Sequence, residues 1–249
     1  MKTYDVYKQV KCVTSYIQVE MANQLLKVLS TCYKLYIENG SRSPKKADFF
    51  HKYIKSELEI IFTRENGYIV RNEMNVKSIN SSKQKRCDIV ILKNDKPFII
   101  FPVKLVMSSF SKNKNNFWEN MTGELCHLKW ANDDVHLIPI NVVMSSTPCL
   151  TGLAGLKDKK LVVKKNKSDE FRVKNKNSYI SNFEPVTYKK IENYNILKEK
   201  GICYDIVNYI IETEYDNEIG QYINKVPTFK GYDKHTKFRT FDDILKGLI

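Results

Sequence analysis

A single acid set inside an apolar strand limits this chain more than any other feature. The stretch Lys85-Arg86-Cys87-Asp88-Ile89-Val90-Ile91-Leu92 is followed, after the polar turn Lys93-Asn94-Asp95-Lys96, by Pro97-Phe98-Ile99-Ile100-Phe101-Pro102-Val103-Lys104. Two apolar runs separated by turn residues predict strand, hairpin and strand. An unpaired carboxylate is too costly to bury, so Asp88 must be paired, metal-bound or on a cleft wall. Alternation along the strand predicts that Asp88 projects opposite to Cys87 and Ile89. Lys104 ends its strand in the same awkward way, and the hairpin can bring the two side chains onto neighbouring strands.

The surrounding periodicities place this hairpin in an α/β domain with a mixed central sheet flanked by helices. Val6, Val10, Val13, Ile17, Met21, Leu25, Leu29 and Cys32 recur at helical spacing from Tyr4 to about Tyr36, and Glu38-Asn39-Gly40-Ser41 ends that pattern. A second helix is expected from Ser43-Pro44 through Phe50, Ile54 and Leu58, with Glu57 on its apolar side. Strands are expected at Tyr68 to Val76, Cys87 to Leu92, Phe98 to Val106 and His136 to Met144. A helix with Phe117, Met121, Leu125 and Leu128 on one side lies between the last two. Residues 1–150 read as the core with its N-terminal helical segment. Residues 151–249 read as an elaboration of the same domain: a basic hairpin or loop at about 157–176, then a mainly helical region with helices at Ile191 to Lys200, Tyr204 to Tyr215 and Thr240 to Ile249.

Charge narrows the class of partner. The 249 residues carry 41 Lys and Arg against 28 Asp and Glu, a formal net charge of +13. Such a chain favours a polyanion, because neutralising phosphates releases counterions whatever the sequence read. Six scattered cysteines without a CxxC pair do not suggest zinc. No run of about eighteen apolar residues occurs, so no membrane partner is expected, and a reduced cytoplasmic protein is. Lys112, Asn113, Lys114, Asn115, Asn116, Lys234, Lys237 and Arg239 fall in the stretches best suited to phosphate contact. The three asparagines can alternatively cap a helix starting near residue 116.

The order helix, three strands, helix, strand, with Asp88 and Lys104 on adjacent strands, resembles the core of the PD-(D/E)xK nucleases, and most of all the restriction endonucleases. The resemblance covers about residues 44–150. It implies a metal-dependent endonuclease that hydrolyses double-stranded DNA with Mg²⁺, or Mn²⁺ in its place, acting as a homodimer. It implies Asp88 as a metal ligand, Val103 beside it through its main chain, and Lys104 as the cation that orients water and offsets transition-state charge.

One position departs from the pattern, because Pro102 stands where the second acid belongs. Some restriction endonucleases relocate that acid to the following helix. Here Glu119 lies fifteen positions after Lys104, within Asn113-Lys114-Asn115-Asn116-Phe117-Trp118-Glu119-Asn120, and Gly123-Glu124 follows. Spacing favours Glu119 as ligand and catalytic acid; the facing of the apolar stripe favours Glu124. Glu57 is a third source, because the first core helix of such nucleases often lends a carboxylate to the metal. The alternatives are a catalytically inactive relative that binds DNA, and a helical adaptor that is basic through genome composition alone.

Overall fold

The computed structural model of the chain describes residues 3–152 and 178–249; the basic segment expected at 157–176 lies outside them. Helix α1 (Thr3–Asn39) is followed by α2 (Lys45–Ile61), then strands β1 (Tyr68–Lys77), β2 (Gln84–Lys93), β3 (Lys96–Phe101) and β4 (Val103–Val106). Helix α3 (Phe110–Ala131) precedes β5 (His136–Leu137), β6 (Ile140–Met144) and β7 (Ser146–Gly152). Next come β8 (Ser178–Pro185), the one-turn α4 (Ile196–Glu199), β9 (Val207–Glu214), β10 (Thr228–Tyr232) and α5 (Phe241–Leu245).

β1, β2 and β3 form an antiparallel meander, and β3 then pairs in parallel with β5. β4, β6 and β9 are mutually parallel, with β10 antiparallel at the far edge. Pro102 separates β3 from β4, and Pro139 separates β5 from β6, because proline has no N–H for the ladder. The track is nonetheless continuous. Ile99 pairs with His136 and Val103 with Ile140 at one offset, and Ile138 N–H donates to the Ile100 carbonyl and Ile140 N–H to the Pro102 carbonyl, at 2.9 and 2.8 Å. The strands expected at Phe98–Val106 and His136–Met144 are therefore each broken by a proline into two.

Both faces of this sheet are covered. Ile89, Ile91, Ile99, Phe101, Val142 and Tyr209 pack toward α1 and α2 with Leu29, Tyr33, Phe50, Ile54 and Leu58. Val90, Leu92, Ile100, Val143 and Ile210 pack toward α3 with Phe110, Met121, Leu125 and Leu128. Residues such as Ile89 and Ile91 are fully buried, and each such side chain contributes about 1.5–3 kcal/mol.

The C-terminal region is built mostly of strands, which corrects the expectation of a mainly helical one. The expected helix at Tyr204–Tyr215 is β9. Its Val207-Asn208-Tyr209-Ile210-Ile211 run is buried on both faces beside β6, so it carries no alternation to mark it as a strand. Its β-branched and aromatic residues were the usable signal. Ile191–Lys200 forms 3-10 turns and the single turn α4. The expected terminal helix does form, as the short α5, with Thr240 and Asp243 closing a capping box.

Helix α3 begins at Phe110, about six residues earlier than the asparagine-rich sequence suggests. Ser109, in a left-handed conformation, offers no side-chain cap. Instead Glu184 of β8 accepts a hydrogen bond from Ser111 N–H at 2.7 Å, placing a remote carboxylate on the helix N-terminus. Burial acts to raise the Glu184 carboxyl, but bonds from Ser111, Thr147 and Cys149 outweigh it and hold the group below its ordinary value. A depressed folded pKa contributes stability that is complete above the unfolded value and is lost as pH falls through the folded one. In urea titrations between roughly pH 7 and pH 3, wild type therefore loses more of its midpoint than Glu184→Gln; equal losses would contradict the assigned role.

Candidate active site

The ladder fails on both sides of Asp88. On the β1 side, pairs run from Tyr68–Lys93 to Asn72–Ile89 and resume at Met74–Cys87, so Glu73, with φ 53°, faces Asp88 without pairing. On the β3 side the last pair is Ile89–Phe101, and the next step sets Asp88 opposite Pro102, which has no N–H to give. The Asp88 carboxylate takes over that role: its Oδ2 accepts the N–H of Val103 at 2.7 Å. The proline that removes the expected second acid thus opens the strands at Asp88 and locks that carboxylate one residue from Lys104.

The simple alternation expected around Asp88 does not hold. Cys87 packs on the α3 face and Ile89 on the α1–α2 face, so the pleat slips at Asp88 itself. This slip follows from the unpaired Glu73 and Pro102 on either side. The Cys87 thiol is pushed up to about 12, by burial first and then by the charges of Glu124 and Asp88. It remains a neutral packing group flanked by both acids.

Lys104 points to the α3 face, where its Nζ lies 3.6 Å from Oε2 of Glu124. Lys85 of β2 approaches the same oxygen at 3.4 Å. The Glu124 side chain is 8% exposed, whereas those of Lys104 and Lys85 are 28% and 38% exposed. A carboxylate so deeply placed requires counter-charge, and the two ammonium groups supply it.

Of the candidate acids, the structure brings Glu124 to Lys104. Glu119 is exposed on α3, about 140° around the helix from Glu124 at 100° per residue. The residue before it, Trp118, stacks on Tyr194 with ring centroids 5.2 Å apart. Glu57 is half-buried on α2, across the sheet from α3, and burial raises its carboxyl. Among the described residues no hydrogen bond or ion pair joins Glu57 to Asp88 or Lys104.

A polar row behind Lys104 has no counterpart in the sequence expectations. Lys104 is in register with Asn141 of β6, and Asn141 with Asn208 of β9. Asn141 is buried and its Nδ2 donates to Asn208 Oδ1 at 2.8 Å; Asn208 donates in turn to Asn195 Oδ1 at 3.1 Å. The Asn141 side-chain oxygen is buried and has no hydrogen-bond partner among the described residues. The signal was available: Asn141 interrupts an apolar strand as Asp88 does.

The expected phosphate-binding residues divide. Lys112, Lys114, Asn115 and Asn116 are exposed in the first turns of α3, while Asn113 bonds the Ser109 carbonyl at 2.9 Å. None of these asparagines is the N-cap, because the helix starts earlier. Lys234 and Lys237 are exposed. Arg239 is engaged inside the protein, at 2.6 Å from Asp205 Oδ2 and 3.2 Å from the Asp243 carbonyl. That pairing ties the C-terminal segment to the loop before β9.

No three His, Cys, Asp or Glu side chains among the described residues gather as a metal cage. The carboxylates of Asp88 and Glu124 are hard oxygen donors, which suit a hard cation such as Mg²⁺. Mg²⁺ takes one or two carboxylates and completes its shell with water and substrate phosphate. Among the described residues no helix is long and apolar enough to cross a membrane. Comparison with models of protein families, with curated proteins and with solved structures found no match to this chain.

Proposed function

We propose that this chain is a Mg²⁺-dependent endonuclease acting on double-stranded DNA, of the restriction-endonuclease type. The observation that carries the reading is a pair of contacts at consecutive residues after the proline: Asp88 of β2 accepts the Val103 N–H, and Lys104 of β4 faces the buried carboxylate of Glu124 on α3. The succession α2, β1–β3, α3, β6 supports it, since that is the element order the resemblance implies. In this reading the second acid comes from the helix, as expected, but from Glu124 in place of Glu119.

Asp88 and Glu124 would hold the cation, with the Val103 carbonyl beside them. When bound, a divalent ion supplies Lewis-acid stabilisation of the phosphoryl oxygens and lowers the pKa of a bound water. Lys104 orients the attacking water and offsets the negative charge that grows on the phosphate. Asn141, behind it in register, gives the lysine a polar rather than apolar neighbour. The exposed Lys112 and Lys114 at the start of α3, and Lys234 and Lys237, add phosphate contacts that position the duplex without reading it.

A second reading, an inactive relative that binds DNA, is favoured by Pro102 and by the two lysines already engaging Glu124. Incubating supercoiled plasmid with the protein separates the two. The nuclease reading expects nicked or linear product with Mg²⁺ or Mn²⁺, and none with EDTA or with Ca²⁺, whose looser geometry binds without positioning water. Full cleavage in EDTA overturns the metal mechanism. Retarded but uncut DNA under every metal condition establishes the inactive relative.

A further inference from the structure

Lys85 is not among the residues expected from the sequence, yet its ammonium shares one oxygen of Glu124 with Lys104. Two cations converging on one buried acid oxygen is an arrangement that mutual repulsion opposes, and a structural ion pair needs only one of them. Counting charges explains both. Asp88 and Glu124 bring two negative charges and Lys85 and Lys104 two positive ones, so the site is balanced with nothing bound. Once both carboxylates are committed to a divalent cation, their charge is satisfied and both lysines lose their counter-charge. Two free ammonium groups then face the place where phosphoryl transfer concentrates negative charge.

We propose that Lys85 is a second phosphate-contacting lysine, held on Glu124 until a divalent cation occupies that carboxylate and releases it to the DNA backbone beside the scissile bond. This rests on the nuclease reading and adds a substrate contact to it. Lys85 suits the role by position. It lies on β2 three residues before Asp88, and it is more exposed than Lys104 and Glu124, so it can reach outward from the strand while Lys104 remains deeper. Its paired neighbour on β1, Val76, is apolar and offers no competing acid.

The test reads DNA binding, not cleavage. Affinity for a short duplex is measured across a series of KCl concentrations, once with Ca²⁺ and once with EDTA. Wild type should show a steeper salt dependence with Ca²⁺, because released lysines add phosphate contacts. Lys85→Met should lose about 0.9 of the log–log slope in Ca²⁺, the amount expected for one phosphate contact. Lys85→Arg should keep it. Lys85→Gln provides the same comparison if the Met variant does not fold.

An unchanged slope for Lys85→Met in Ca²⁺, or equal wild-type slopes in Ca²⁺ and EDTA, overturns the proposal. Wild type that binds the duplex but never cuts it with Mg²⁺ removes the nuclease reading, while the slopes still decide for or against Lys85. Wild type that binds no duplex overturns both.

Discussion

Asp88→Asn should lower DNA cleavage by at least about a hundredfold, the scale of a lost transition-state contact, with the melting temperature close to wild type. The asparagine oxygen can still accept the Val103 N–H that Asp88 Oδ2 now holds at 2.7 Å, so the strand junction at Pro102 survives and only the charge is removed. Asp88→Ala separates the two roles further. It strands the Val103 N–H in a part-buried position, and leaving such a donor unsatisfied costs about 1–3 kcal/mol. The alanine variant should thus lose both activity and stability, and the asparagine variant activity alone. Near-normal cleavage by Asp88→Asn would make Asp88 a structural clamp for the interrupted strand.

Glu124→Gln should be comparably severe, and Glu119→Gln mild. The buried Glu124 carboxylate faces Lys104, whereas Glu119 is exposed on another flank of the same helix. Removing the Glu124 charge takes away the second anionic ligand, and a single carboxylate holds Mg²⁺ poorly. It also leaves Lys85 and Lys104 facing each other without the negative charge they share. The reverse ranking, with Glu119→Gln inactive and Glu124→Gln active, would restore the assignment that spacing alone suggests. A severe loss confined to Glu57→Gln would move the ligand to the α2 side of the sheet.

Local signals in this sequence mark the parts of the fold and of the candidate site that depend on neighbours along the chain. The meander of β1, β2 and β3 was legible because its apolar runs are bounded by turn residues, and α2 because Phe50, Ile54 and Leu58 repeat at helical spacing. Asp88 and Lys104 stood out because each breaks an apolar run. What was not legible depends on contacts distant in sequence. The start of α3 is set by Glu184, seventy-three residues beyond Ser111. That Glu124 rather than Glu119 lies beside Lys104 follows from how α3 lies on the sheet, which spacing from Lys104 does not encode. The approach of Lys85 to Glu124 appears only once α3 brings that acid over β2. β9 escaped because burial on both faces erases the alternation that distinguishes a half-buried strand.

Pro102 shows how one residue carries two messages. In the sequence it reads as a lost catalytic acid. In the fold it ends the β2–β3 ladder, frees β4 to continue beside β6, and leaves Asp88 to bond Val103. The opening at Asp88 and the absence of an acid at position 102 therefore share one cause, and the carboxylate that lies beside Lys104 is that of Glu124 on α3.

Titration of Mn²⁺ into the DNA-free protein, followed by the loss of the free-ion electron paramagnetic resonance signal, tests the pairing of Asp88 with Glu124 most directly. The account predicts a bound ion in wild type, in Glu119→Gln and in Glu57→Gln, with binding weakened at least tenfold in both Asp88→Asn and Glu124→Gln, about 1.4 kcal/mol. Equal binding by wild type, Asp88→Asn and Glu124→Gln would contradict it.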